Sequence, residues 1–156
     1  MTQEEKTERT KERILEAAMH EFGEKGYTAA TIGAICGAHG IAKGLLYHNF
    51  AGKEELYLTC VSHCFDEVTA YLKAEETGAD LQRYMERRIH YFSEHPLHAR
   101  IFFEAVLQPP AGLEAEIKKR REAFDRFNQQ IYREAISALP LRKGITEATA
   151  MEYYAI

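Results

Sequence analysis

Residues 31–53, TIGAICGAHGIAKGLLYHNFAGK, decide how this chain folds. They read as a short helix, a glycine turn, a second short helix and the start of a third. The Thr31 hydroxyl suits the cap of the first of these helices, where it can accept an orphan N–H of the first turn. Ile32 and Ile35 lie three apart and face inward. Gly33 and Gly37 each weaken that helix by roughly 1 kcal/mol against alanine, so packing or a close approach must hold it. Gly40 is the turn, suited to a positive φ. A helix over 42–50 follows, with Leu46 and Phe50 four apart as inward anchors. Lys43, Tyr47 and His48 fall on the same short helix, where a DNA backbone and base edges could be met. This layout implies a helix-turn-helix protein rather than an enzyme.

Working outward, almost everything else reads as helix. Over 10–25, Ile14, Leu15, Ala18 and Phe22 recur at three- and four-residue spacing, and Gly26 stops the run. Gly52 and Lys53 open a long helix to about residue 75, with Tyr57, Val61, Cys64, Phe65, Val68 and Leu72 as its main stripe. Leu56 and Cys60 sit on an adjoining face, so this helix is expected to touch two neighbours. After a break at 77–80, a fifth helix over 80–93 places Leu81, Tyr84, Met85, Ile89 and Phe92 inward. Pro96 stops it and begins a sixth, carrying Leu97, Ile101, Phe102 and Ala105. Pro109 and Pro110 end that one, since adjacent prolines cannot continue a helix. A seventh runs over 112–137, with Leu113, Ile117, Phe124, Phe127 and Ile131 buried. Its run of Lys118, Lys119, Arg120, Arg121, Glu122, Asp125 and Arg126 reads as a solvated face. An eighth begins near Thr146 and reaches Ile156 on apolar residues (Met151, Tyr153, Tyr154), which implies missing downstream sequence or a short variant. The expected fold is all-α: a three-helix DNA-binding head over 1–55, then a helical ligand-binding and dimerisation body over 56–156.

Bulk properties narrow the class. Apolar residues make up 46% of 156, enough for a real core. The net charge of −4 argues against a protein that coats nucleic acid non-specifically. No apolar run is long enough for a membrane span, and MTQEEKTERTKER lacks the apolar core of a signal peptide. The three cysteines (Cys36, Cys60, Cys64) are therefore read as reduced thiols in the cytoplasm. Residues 1–55 hold seven bases and nine acids. Yet no Asp or Glu occurs from 26 to 53, a window that contains Lys43, Lys53, His39 and His48. Charges elsewhere are screened beyond about 8 Å at physiological salt, so an acid-free window is a surface fit for phosphate.

The segments ILEAAMHEFGEKGYTAATI, GIAKGLLYHNF and GKEELY, within residues 9–61, resemble the tetracycline-repressor (TetR) type of transcriptional regulators. The resemblance implies an all-helical homodimer, most often a repressor, with a helix-turn-helix head and a ligand-binding body. A small-molecule effector in the body shifts the two heads and releases double-stranded operator DNA. It further implies that Thr31 and Tyr47 contact phosphate through their hydroxyls. Lys53 would add a charge-assisted contact beside the N-terminus of its helix. Lys43, Gly44, Leu45 and His48 would lie at the recognition surface, Gly44 allowing close approach of the backbone. The chain departs from the pattern in three places. Ala42 stands where serine or threonine is common and can neither cap nor meet phosphate. Gly33 replaces a polar or basic residue. Leu45 replaces a polar one, and could pack on a thymine methyl. The family's dimer contact through its last two helices is also cut short here.

Other groups carry weaker signals. Cys60, His63 and Cys64 have the spacing of a soft-metal site, but Cys64 falls in the buried stripe and core thiols are the better reading. Arg88, Tyr91, His95, His98, Phe102 and Phe103 are candidates for lining a small-molecule pocket; the alternative is plain aromatic core. Arg88 either snorkels to solvent or binds an anionic ligand or a buried carboxylate such as Glu104. No phosphate loop, His-Glu-x-x-His or nucleophile elbow occurs, so no catalytic residue, cofactor or resident metal is expected. The competing reading is a helical small-molecule or metal binder whose DNA recognition has degenerated, motivated by Ala42, Gly33 and Leu45.

Overall fold

In a computed structural model, residues 1–138 and 144–152 are described, and all their regular structure is helical. The order is α1 (Gln3–Ala29), α2 (Ile32–His39), α3 (Lys43–Asn49), α4 (Lys53–Lys73), α5 (Leu81–Glu94), α6 (Pro96–Leu107), α7 (Glu114–Ser137) and α8 (Glu147–Glu152). The fold class read from the sequence therefore stands. Tyr153, Tyr154 and Ile156, expected on the last helix, lie outside the described residues.

Helix α1 starts seven residues earlier than its apolar periodicity suggests. Thr2 and Glu5 form a reciprocal capping box, each side chain bonded to the other's backbone N–H at 3.0–3.1 Å. That threonine–glutamate spacing stands in the sequence with no apolar residues beside it to mark a helix. Gly26 interrupts α1 at a φ of 78°, as the glycine signal requires, and residues 27–29 form a short extra turn.

The inward stripe of α4 is buried throughout, and Leu56 and Cys60 are buried with it. This helix is the axis of the molecule: it packs on α1 at one side and on α5, α6 and α7 at the other. Phe65 brings its ring to 4.9 Å from that of Phe102 and 5.7 Å from that of Phe124, forming the aromatic centre of the later helices. Cys60 and Cys64 lie in this core, as their stripe positions imply.

The contact between α1 and α6 is not legible in the sequence, and it is the most extensive in the fold. Gly23 makes it possible. A Cβ there would come within 2.8 Å of the Leu97 side chain and 3.2 Å of its Cα, so only glycine lets the two helices approach this closely.

Two inward assignments need correction. Ile89 is 66% exposed, and Arg88 is buried at 3%. The inward line of α5 runs Tyr84, Arg88, Tyr91, a four-plus-three spacing that puts 88 on the core face and turns 89 out to solvent. Arg88 therefore does not snorkel, and Glu104 is not its partner. The seventh helix follows the pattern more closely, with Ile117, Phe124 and Ile131 buried and Phe127 half-buried. Lys118, Lys119, Glu122 and Arg126 are exposed on its solvent side. Arg120 instead reaches the Ser62 hydroxyl at 3.0 Å, and Arg121 holds Asp125 through its fork.

Candidate nucleic-acid interface

The α2–turn–α3 unit is held from behind by α1. Thr31 caps α2, its Oγ1 accepting the Ala34 N–H at 3.1 Å. Its own N–H donates to Glu21 at 3.1 Å, and Glu21 also pairs with Lys25 at 2.8 Å. Burial pushes the Glu21 carboxyl up; the Lys25 and Thr31 hydrogen bonds and the charges of Lys25 and Lys53 outweigh it and hold the carboxyl below the ordinary range. Ile35, beneath α2, is fully buried.

The turn itself closes at Gly40, in the left-handed region at φ 60° and ψ 38°. A residue with a Cβ is strained there, which is why glycine stands at the turn. Arg13 on α1 donates one guanidinium nitrogen to the carbonyls of His39 and Gly40, at 2.9 and 3.1 Å. It satisfies the last carbonyls of α2 and opposes the negative end of that helix. Arg13 and Glu21 are functional supports that sequence reasoning missed. Their only signal was a position on the polar side of α1, two turns apart.

Helix α3 is anchored by Leu46 at zero exposure and by Phe50 beyond its end. With those two facing in, the remaining positions face out. Tyr47 is 53% and Leu45 39% exposed, and Lys43, Gly44 and His48 are exposed beside them. Ala42 occupies the cap of α3 and makes no side-chain capping bond. Gly33 leaves room on α2 beside Lys43: a Cβ at 33 would stand 3.9 Å from the Lys43 Nζ. Thr31 is exposed as well, and its hydroxyl proton is not used by the cap.

Lys53 is less free than the others. It is half-buried, with Nζ 4.4 Å from the centre of the Tyr27 ring and donating to the Thr28 carbonyl at 3.4 Å. Glu54 and Glu55 occupy the first turn of α4, and Glu55 accepts the Ala51 N–H. Tyr27 in turn packs edge-on to Tyr57 at 4.8 Å. Tyr57 donates its hydroxyl to Glu104 on α6 at 2.7 Å, and the Tyr27 N–H donates to both oxygens of the same carboxylate at 3.3 Å. Burial first, then that hydrogen bond, drives the Tyr57 phenol far above its ordinary value. One carboxylate of α6 thus ties the end of α1 to the start of α4.

Of the pocket candidates, His95 lies against the rings of Tyr91 and His98 at 4.5 and 5.4 Å, while Arg88 lies over Phe102, which meets Phe103 at 5.1 Å. Arg88, Tyr91 and Phe102 are core, Phe103 is half-buried, and His95 is exposed. His98 is half-buried, with Nδ1 3.2 Å from the Tyr91 hydroxyl, and lines a cavity of about 350 Å³ with His20, His63, Met19 and Leu97. Burial, with His63 and His95 nearby, holds the His98 imidazole below its ordinary value. A separate cavity of about 620 Å³ lies between α7 and α8, with Asn128 and Tyr132 on its floor. Among the described residues, no group of three or more His, Cys, Asp or Glu side chains is placed to hold a metal ion.

A glycine-turned helix pair ahead of a helical body defines a helix-turn-helix protein. Residues 14–60 match the family model of bacterial regulatory proteins, tetR family, and residues 76–156 match that of the tetracyclin repressor-like C-terminal domain. The chain belongs to the TetR family. It is similar to the HTH-type transcriptional regulator UidR of Escherichia coli K12, at 29% identity over 131 residues, covering 81% of this chain. It thereby spans 66% of that relative's length, just under two thirds. A shorter match, 36% identical over 62 residues (40% of this chain, 34% of the relative), is to IcaR of Staphylococcus epidermidis, a negative transcriptional regulator of the biofilm operon icaADBC. Among solved structures, a tetR family transcription regulator from Shewanella sp. PV-4 shares the fold at a TM-score of 0.70 and 20% identity, covering 92% of this chain and 78% of that one.

Proposed function

We propose that this chain is a ligand-responsive transcriptional regulator, a repressor that binds operator DNA as a homodimer in the cytoplasm and leaves it when a small molecule occupies the body. Residues 1–55 form the DNA-binding unit and 56–156 the ligand-binding and dimerisation unit. The observation that carries this reading is the outward face of α3: Lys43, Tyr47 and His48 are exposed while Leu46 and Phe50 anchor the helix from beneath. Tyr47 and Thr31 supply hydroxyls to phosphate, Lys43 supplies charge, and Gly44 lets the backbone come close. Leu45 presents an apolar surface to a thymine methyl. Lys53 joins by sharing its ammonium between Tyr27 and phosphate. Two such helices would enter successive major grooves about 34 Å apart.

The same reading gives Glu104 a task. A ligand that displaces α6 moves this carboxylate, and with it Tyr27, Tyr57 and the Lys53 ammonium. Coupling of this kind is typically about 1–3 kcal/mol and acts in both directions, so DNA weakens inducer binding by the factor by which inducer weakens DNA binding.

The test is fluorescence anisotropy with duplex DNA from upstream of the chain's own gene, across a salt series. Specific binding that weakens with salt is expected, and Lys43→Ala should lower the salt slope by about 1. Affinity equal to that for scrambled DNA, even at low salt, would overturn the proposal. That outcome would favour a small-molecule binder with degenerate DNA recognition, the reading to which the uncapped Ala42 points.

A further inference from the structure

Helices α5 and α7 meet over a buried polar cluster. Arg88 is 3% exposed, Tyr84 1%, Tyr132 3% and Asn128 6%. The Tyr84 hydroxyl donates to the Asn128 side-chain carbonyl, and Arg88 Nη1 donates to the Tyr132 hydroxyl at 3.2 Å. The guanidinium lies 5.4 Å from the centre of the Phe124 ring and 5.9 Å from that of Phe102. No carboxylate among the described residues forms an ion pair with it. Glu104, the carboxylate offered as its partner from the sequence, is engaged by Tyr27 and Tyr57 instead.

A buried charge is ordinarily paired, because taking it out of water costs several kcal/mol that a counter-charge must offset. Two ring faces supply about 1–2 kcal/mol each at best, and the neutral hydroxyls of Tyr132 and Tyr84 add little more. Among the described residues, Arg88 is therefore a buried cation with no carboxylate beside it. Its neighbours reach open space: Asn128 and Tyr132 form the floor of the 620 Å³ cavity between α7 and α8. Of the acids around that cavity, Asp125 is held by Arg121, and Glu147 and Glu152 stand exposed at its mouth. A volume of this order suits a small organic molecule.

We propose that Arg88 anchors the carboxylate of a small-molecule effector. The carboxylate enters across the cavity floor, accepts from the guanidinium fork in place of the Tyr132 hydroxyl, and takes the Asn128 amide as a second donor. Arginine suits this because its planar fork matches a carboxylate with two parallel bonds. This assignment rests on the ligand-responsive reading and names the chemistry of the ligand.

The experiment uses the full chain with benzoate, naphthoate, octanoate and decanoate, each against its methyl ester. Binding is followed by thermal shift and calorimetry. At least one carboxylate should raise Tm by several degrees while its ester does not. Arg88→Met should keep the fold, since an apolar residue of similar volume replaces an unpaired charge, and should weaken that carboxylate at least tenfold. No carboxylate binding to the wild-type chain, or equal binding of acid and ester, overturns the proposal. If Arg88→Met fails to fold, Arg88→Lys decides. A tenfold loss supports the fork, and unchanged affinity overturns it. DNA anisotropy of Arg88→Met separates the two readings. Specific DNA binding with no carboxylate response sinks only this inference, whereas loss of specific DNA binding in the wild-type chain sinks the proposed function.

Discussion

Among the described residues, the first helices and the later ones each bury one charged side chain, and only one of the two has an opposite charge beside it. Glu21, 8% exposed, meets Lys25 and the Thr31 N–H. Arg88, 3% exposed, meets the neutral hydroxyls of Tyr132 and Tyr84 and two rings. The helix-turn-helix unit thus has its buried charge answered, with Glu21 and Arg13 holding α2 and its turn. In the later helices the aromatic core is filled, while no carboxylate among the described residues pairs with Arg88. A surface that meets a rigid duplex gains from being preorganised, whereas a site that must report a ligand gains from an interaction only the ligand can supply.

The contrast can be broken most forcefully at α3. Leu46→Ala removes the fully buried anchor of a seven-residue helix that has no side-chain cap. It should lower the unfolding free energy by about 2–5 kcal/mol in urea denaturation and abolish specific DNA binding. An unchanged midpoint would mean that α3 is held by something other than its apolar side.

A middle-sized effect is expected at Glu21. Glu21→Ala leaves the Thr31 N–H without its acceptor and should cost about 1–3 kcal/mol. Its pH dependence has a definite sign. The folded carboxyl is held below its ordinary value of 4.5, so its contribution is fully present above that pH and fades as pH falls through the folded value. The wild-type chain should lose stability on acidification below pH 4.5, and Glu21→Gln should lose less over the same range, as read by urea midpoints. Parallel curves would show that Glu21 is not linked to folding.

The smallest effect sharpens the picture of the body's core. Burial, with the Glu67 charge, pushes the Cys64 thiol up to about 12, and burial raises Cys60 as well. Both should resist a disulfide reagent such as DTNB at pH 8 in the native chain and react in urea. The Cys64 contribution is present below the ordinary thiol value of 9.0 and is lost as pH rises from there toward about 12. Rapid native modification would place these thiols at an accessible surface.

Much of the molecule is legible in the order of its residues. The α2–turn–α3 unit is legible because its signals are local: a hydroxyl at the cap, a glycine at the turn and apolar residues four apart. The outward face of α3 follows by subtraction once Leu46 and Phe50 are assigned inward. Its supports are not legible in this way. Arg13 bonds a turn 26 and 27 residues away, and Tyr27 meets Glu104 across 77. Ile89 and Arg88 mislead for a related reason. Hydrophobicity assigns the more apolar residue to the core, while the register of α5, set by Tyr84 and Tyr91, carries position 88 inward.

Helix periodicity and glycine chemistry act within a few residues, so the chain's own order is sufficient for the all-α class, the turn at Gly40 and the stripe of α4. Which charges find partners is a matter of three-dimensional proximity, and composition is silent on it. Only when α6 closes on α1 and α4 does Glu104 go to the tyrosines, and only when α5 meets α7 is Arg88 left with no carboxylate among the described residues, because a buried ion pair forms between side chains that packing brings within a few ångströms, whatever their distance along the chain.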